Sequence, residues 1–302
     1  MRSEREIAAA VLASCGQPGE ISWRSWRWAV AFQNEFIAFA ADDDEGWERL
    51  RRERALLDRL AARTSVALPA VVLEDERTRL QLRRMVPGVT GDMVERIVFG
   101  RDDKVGPATR YQPNLPFTAK GRRLARDLGH ALSALQRAIP VEEARALGFA
   151  VHSYLFLLDQ VAAYLAEQRE LRDLYIAIAP LRRWFAELPN EPALCLCDLQ
   201  LHNIAVLPQT GALGGLFDFD DAGIMHQLED FKYLPSFGLE FTEFALEAFM
   251  ESGGRSSTLA EVGRFHVLSA MEHFLFVPEE TPRWPEIVRW ARAAVHHFAR
   301  DW

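Results

Sequence analysis

A short hairpin with acidic and amide residues at its mouth constrains this chain more than any other stretch. Leu194-Cys195-Leu196-Cys197-Asp198 leads through Leu199 to His202 and on to Asn203. An apolar run from Ile204 to Leu207 meets the turn Pro208-Gln209-Thr210-Gly211, and a second apolar run ends in Phe217-Asp218-Phe219-Asp220-Asp221. Two short apolar strands joined by a glycine-containing loop read as a β-hairpin. Antiparallel pairing then brings Asn203, entering the first strand, and Asp218, leaving the second, to the same end, beside the loop that carries Asp198. Three oxygen-bearing side chains at one mouth suit phosphoryl transfer from a magnesium nucleotide. One carboxylate takes or orients the acceptor proton, while an amide and a second carboxylate hold a hard cation. Asp and Asn also cap turns; the hairpin and the acidic ending at the right distance argue against that reading of Asp198 and Asn203.

At 302 residues the chain has room for one large or two modest domains. A net charge of -8 argues against a nucleic-acid or anionic-membrane surface and is compatible with a cationic substrate. Cys15, Cys195 and Cys197, odd in number, give no disulfide framework, and Cys195 and Cys197 read as buried small residues of a reducing compartment. Without a signal-like start or a long apolar run, cytoplasm is the expected location. His266 and His273, seven apart, lack the spacing of a metal motif and read as solvated or satisfied histidines.

Ser3 with Glu6 forms a capping box ahead of a helix over residues 3-15. Residues 21-41 read as two strands, with Trp26, Trp28, Val30 and Phe32 on one buried face. A helix follows the acidic cap Asp42-Asp43-Asp44, with Leu50, Arg54, Leu57 and Ala61 along one edge and Glu53 inside it. Two more strands, 70-73 and 80-86, end in Val86-Pro87-Gly88. Residues 93-99 fit helix or strand, and the proline-punctuated stretch to Pro116 is expected to cover a cleft. Helices are then expected over 118-139, 151-168 and 171-187, and, after the hairpin, over 240-251, 259-276 and 286-298.

Asp198-x4-Asn203, then Phe217-Asp218-Phe219 across a hairpin, resembles the aminoglycoside phosphotransferase and choline kinase-like family, small-molecule relatives of protein kinases. The resemblance runs through nearly the whole chain in order and is specific at 198-221 and, less so, at 80-88. It implies an α+β, protein kinase-like two-lobe fold: a small β-rich lobe over 1-88 with its hinge at 84-88, and a mostly helical lobe over 89-302 holding the catalytic loop and acceptor site. It further implies Asp198 as catalytic base, Asn203 and Asp218 as Mg2+ ligands, and Glu53, Arg84, Met85 and Val86 as residues that meet ATP or GTP. The implied activity is transfer of a γ-phosphoryl group to a hydroxyl of a small aminoglycoside-, sugar- or amino-alcohol-like molecule; the alternative is a catalytically impaired, kinase-like binding protein.

Three departures bear on that choice. The chain has three lysines, Lys104, Lys120 and Lys232. The strand that carries a phosphate-pairing lysine in relatives therefore has Ala38 or Phe39 at that place. Arg24, Arg27, Arg83 and Arg84 are the cations able to stand in, and Glu53 is expected to pair with an arginine. Second, Ile21 to Glu35 contains no glycine, so that turn approaches phosphates less closely. Third, relatives read His-Gly-Asp where this chain has Leu196-Cys197-Asp198, and Gln136 stands where a helix-ending histidine is usual. For the acceptor, Asp220, Asp221, Glu229, Asp230, Glu240, Glu243 and Glu247 are either a solvated acidic surface or the lining of an amine-binding pocket.

Overall fold

The computed structural model describes residues 3–15, 19–24, 26–32, 35–100 and 116–299. Its first part is an antiparallel sheet of β1 (Ile21–Arg24), β2 (Arg27–Phe32), β3 (Phe36–Ala41), β4 (Ala70–Asp75) and β5 (Leu80–Arg84), in the order β1-β2-β3-β5-β4. Side chains alternate across a strand, and here each face has its own helix. On one face Val30, Ala38, Ala40 and Leu80 pack against Ile7 and Val11 of α1 (Glu4–Ser14), whose Ser3–Glu6 capping box is formed. On the other, Arg27, Ala29, Phe39 and Arg83 border the cleft, with Glu53 of α2 (Asp44–Arg63) facing them.

Three expectations need correction. Residues 21-41 hold three strands, β1 to β3, rather than two. The buried stripe of α2 is Trp47, Leu50, Glu53, Leu57 and Leu60; Arg54 turns outward to pair with Glu74 and Asp58, and Ala61 is exposed. A leucine every seven residues fixes a stripe, but the neighbours that share it are decided by what the sheet presents. Trp26 does not share the Trp28–Val30 face: β2 begins at Arg27, and the Trp26 indole instead donates to Asp220 across the cleft.

The helical part comprises α3 (Asp92–Phe99), α4 (Ala119–Ala138), α5 (Val141–Ala146), α6 (Tyr154–Glu167), α7 (Arg172–Glu187), α8 (Leu239–Glu251), α9 (Leu259–Glu272) and α10 (Trp284–Phe298). Residues 93-99 are therefore helical. The expected cleft cover falls largely in 101–115, outside the described residues. Two strand pairs sit among these helices: β6 (Pro192–Cys195) with β9 (Gly223–His226), and β7 (Ile204–Val206) with β8 (Leu213–Leu216). The β7–β8 turn closes through Gly211 at φ 72, a left-handed conformation that glycine adopts without steric cost. Backbone bonds of 2.9 Å in both directions between Val89 and Val206 tie the segment after β5 to this hairpin. Among the described residues no helix is long and apolar enough to cross a membrane. His266 is buried, accepting from the Trp290 indole at 3.0 Å and lying 2.7 Å from the Lys232 carbonyl.

Helices α4 and α8 meet backbone to backbone at Gly129, where a β-carbon would stand 2.0 Å from the Ala245 carbonyl oxygen. Gly129→Ala is therefore expected to force the helices apart and cost about 1–3 kcal/mol despite alanine's better helix propensity. Urea unfolding measures this; an unchanged midpoint refutes the close approach.

Candidate active site

The loop after β6 is shaped by one buried carboxylate. Asp230 Oδ1 accepts from the amides of Leu196 (2.7 Å) and Cys197 (3.1 Å), and Oδ2 accepts from the Gln136 side-chain amide (3.0 Å). Burial pushes the Asp230 carboxyl up to about 6, against the pull of Gln136 and the two amides. Gln136 thus reaches the loop through Asp230. Cys197 takes φ 66, a left-handed turn usually left to glycine, and the chain then presents Asp198. Gln200 donates to Asp198 Oδ1 (2.7 Å), and the Asn203 amide nitrogen donates to both Oδ2 (3.0 Å) and the backbone carbonyl (2.9 Å). With its nitrogen so occupied, Asn203 has its amide oxygen left for a cation.

The hairpin does bring Asn203 and Asp218 together. Ile204 pairs with Leu216, and the Phe217 amide donates to the Asn203 carbonyl (3.2 Å). Both residues border one cavity of about 410 Å³ between sheet and hairpin, with Arg27, Phe39, Glu53, Arg83 and Met85. Glu53 is 3% exposed. Its Oε2 lies 3.0 Å from Arg27 Nη1 and its Oε1 2.8 Å from Arg83 Nη1, and Oε1 also accepts from the Phe219 amide (3.2 Å). Burial alone would raise Glu53; Arg83, Arg27 and the Phe219 amide overcome it and hold the carboxyl at about 2. Arg27 Nη2 continues to Asp218 Oδ1 at 2.6 Å. Arg84 and Val86, named from the sequence, do not line this cavity: Arg84 alternates to the other face, over the Phe36 ring, while Val86 is buried against Gly215. Arg24 borders the cavity from an exposed position.

The residues fit a cation shared with a ligand. Desolvation raises the Asp218 carboxyl above its usual range; Glu53, Asp220 and Asp198 add to this, while Arg27 opposes it. Partial burial with Asp220, Asp198 and Asp218 pushes Asp221 to about 6. Such mutual repulsion is relieved by a bound cation. Among the described residues no three His, Cys, Asp or Glu form a complete metal cage. Mg2+ needs none where one amide oxygen, one carboxylate, phosphates and water complete its shell.

A second cavity, about 440 Å³, opens on the other side of Asp198 and is bordered by Tyr154, Phe156, Asp221, Lys232 and Phe276. Lys232 Nζ, buried, lies 2.7 Å from Glu229 and 3.3 Å from Glu272, and the Tyr154 hydroxyl donates to Glu229 (3.0 Å). Of the acidic candidates, Asp221 and Glu229 reach this cavity. Glu240, Glu243 and Glu247 stay exposed on α8, away from it, and Asp230 is spent on the loop. The sequence singled out neither Asp230's hold on the loop nor Trp26's contact with Asp220.

A small sheet with a helix-borne glutamate, a connecting segment after β5, and a helical body carrying an Asp-x4-Asn loop and hairpin define a two-lobed small-molecule kinase. The Phosphotransferase enzyme family matches residues 26–265, and the chain belongs to that family. No curated protein matches it in sequence. Among solved structures, the GDP complex of wild-type aminoglycoside 2'-phosphotransferase-IIIa is similar at a TM-score of 0.73 and 15% identity, with 98% of this chain and 99% of that one covered. Macrolide 2'-phosphotransferase MphH from Brachybacterium faecium gives 0.65 and 18%, over 95% and 97%. The streptomycin–ATP ternary complex of APH(2")-IIa gives 0.65 and 16%, over 98% and 97%.

Proposed function

We propose that the protein moves the γ-phosphoryl group of ATP or GTP to a hydroxyl of a small molecule, with Asp198 as base and Asn203 and Asp218 as the Mg2+ ligands. One observation carries this reading. Asp198 and Asn203 are hydrogen-bonded to each other, yet Asn203 opens with Asp218 onto one cavity and Asp198 onto the other. Donor and acceptor would meet across that bond. Asp198 takes the acceptor's proton as its oxygen bonds to phosphorus, while the bond from phosphorus to the nucleoside diphosphate breaks. Mg2+, held by Asn203 and Asp218, would neutralise charge on the phosphates. Met85 and Glu53 border the nucleotide cavity, the first at the hinge. The three cysteines are free, in keeping with a cytoplasmic enzyme.

The acceptor cavity suits an amine-bearing molecule with a large apolar face. Lys232 pairs with both Glu229 and Glu272 but offsets only one of their two charges, so with Asp221 and Asp198 the cavity stays acidic, while Phe156 (65% exposed) and Phe276 (72%) offer bare aromatic surface at its border. The test is incubation with ATP or GTP and Mg2+ against macrolides, aminoglycosides and amino alcohols, with products read by mass. A singly phosphorylated product is expected, macrolides ahead of kanamycin. No acceptor-dependent product with either nucleotide overturns the reading.

A further inference from the structure

We infer that Arg27 and Arg83, one from each strand flanking β3, are the cations that meet the nucleotide phosphates in place of a strand lysine, and that Arg27 competes with the metal for Asp218. The inference rests on the phosphotransferase reading and concerns how this chain alone completes it. Of the two positions where the lysine could have stood, Ala38 is fully buried against α1, whereas Phe39 borders the cavity. The Phe39 ring lies between the two guanidiniums, with Arg27 Cζ 4.2 Å and Arg83 Cζ 4.9 Å from its centre. The register explains why. Ala29 and Gln81 pair with Phe39, so Arg27 and Arg83, each two residues along its strand, are diagonal neighbours on the same face.

The hydrogen bonds show what these arginines have to spare. One carboxylate, Glu53, serves both. Arg83 is 2% exposed, and its Nε is buried with no partner, a donor that a ligand oxygen in the adjoining cavity would satisfy. Arg27's second terminal nitrogen, Nη2, is held by Oδ1 of Asp218, one of the two proposed metal ligands. In this state two guanidiniums face two carboxylates and the roof of the cavity is neutral. A cation bound at Asp218 would leave the Arg27 charge uncompensated next to where phosphates arrive. Guanidinium N–H groups are good phosphate donors.

The test uses the whole chain and binding rather than turnover. ATP and GTP with Mg2+, adenosine and guanosine are titrated by calorimetry, and Mn2+ alone by electron paramagnetic resonance, into wild type, Arg27→Gln and Arg27→Gln/Phe39→Lys. Arg27→Gln is expected to weaken the triphosphate by about 10–100-fold, as for a lost hydrogen bond to a charged group, leave the nucleoside unchanged and tighten Mn2+ several-fold. The added lysine at residue 39 is expected to recover most of the triphosphate affinity. A merely structural Arg27 would loosen nucleoside and Mn2+ as well, with no recovery, and that result overturns the inference. Unchanged triphosphate binding in Arg27→Gln overturns it too, with the phosphotransferase reading intact. A wild type that binds neither triphosphate removes both.

Discussion

Asp198→Asn is expected to lower phosphoryl-transfer turnover by about 10²–10⁴-fold, the usual worth of a general base, in a chain that still folds. The carboxylate is set up as an acceptor on both oxygens, by Gln200 at 2.7 Å and Asn203 at 3.0 Å. An asparagine keeps the shape but turns an amide nitrogen toward one of those donors and has no basic oxygen for the acceptor's proton. The cost in stability should be small, about 1 kcal/mol for one spoiled hydrogen bond, because the residue sits on a loop whose shape is set by Asp230. Turnover with saturating nucleotide and acceptor, alongside the urea midpoint, separates the two effects. Asp198→Ala removes the donor–donor clash and should be as inactive. Wild-type turnover in either variant takes Asp198 out of the chemistry, and an unfolded Asp198→Ala makes it a turn-former instead.

How much of this site could be read from the sequence follows from the range of the interactions that build it. Asp198, Asn203 and Asp218 converge through one hairpin, so a spacing of five and a Pro208–Gly211 turn suffice to place them. Glu53 was legible as a helix residue following a strand, and its need for an arginine followed from the lack of any lysine before Lys104. Choosing among four arginines was not legible. Arg83 and Arg84 are adjacent and differ only in which face they take, and that parity is fixed by α1 covering Ala38 and Ala40 from the far side. Arg27 depends on where β2 begins; the alternation Trp26-Trp28-Val30 suggested a strand starting one residue earlier, with the tryptophan inside. Asp230's bond to the Leu196 amide spans 34 residues with no periodic signal. Glu243 and Glu247 share a helix face, as read, but that face looks to solvent, because the opposite side of α8 is pressed against α4 at Gly129.

Glu53→Gln should be the most damaging single change in the small lobe, costing about 3–5 kcal/mol at neutral pH, the range for removing one partner of a buried ion pair. Arg27 and Arg83 are both almost fully buried, and Glu53 is the carboxylate they share. A neutral amide leaves Arg83 without an anion and Arg27 with Asp218 alone. The pH dependence gives the sign. Against burial, Arg83 and Arg27 hold the Glu53 carboxyl at about 2, below the 4.5 of a free glutamate. Its contribution is therefore complete above about 4.5 and is lost as pH falls toward 2. The wild type should lose stability over that window while the variant does not, so the gap between them should close by roughly 3 kcal/mol. Asp221 and Asp230, raised to about 6, act in the opposite direction, gaining stability as pH falls, but they are present in both proteins and cancel in the difference. Urea unfolding from neutral pH down into the acid limb measures it. A gap that stays constant with pH would mean that packing at residue 53, rather than its charge, holds the two arginines in the roof of the cleft.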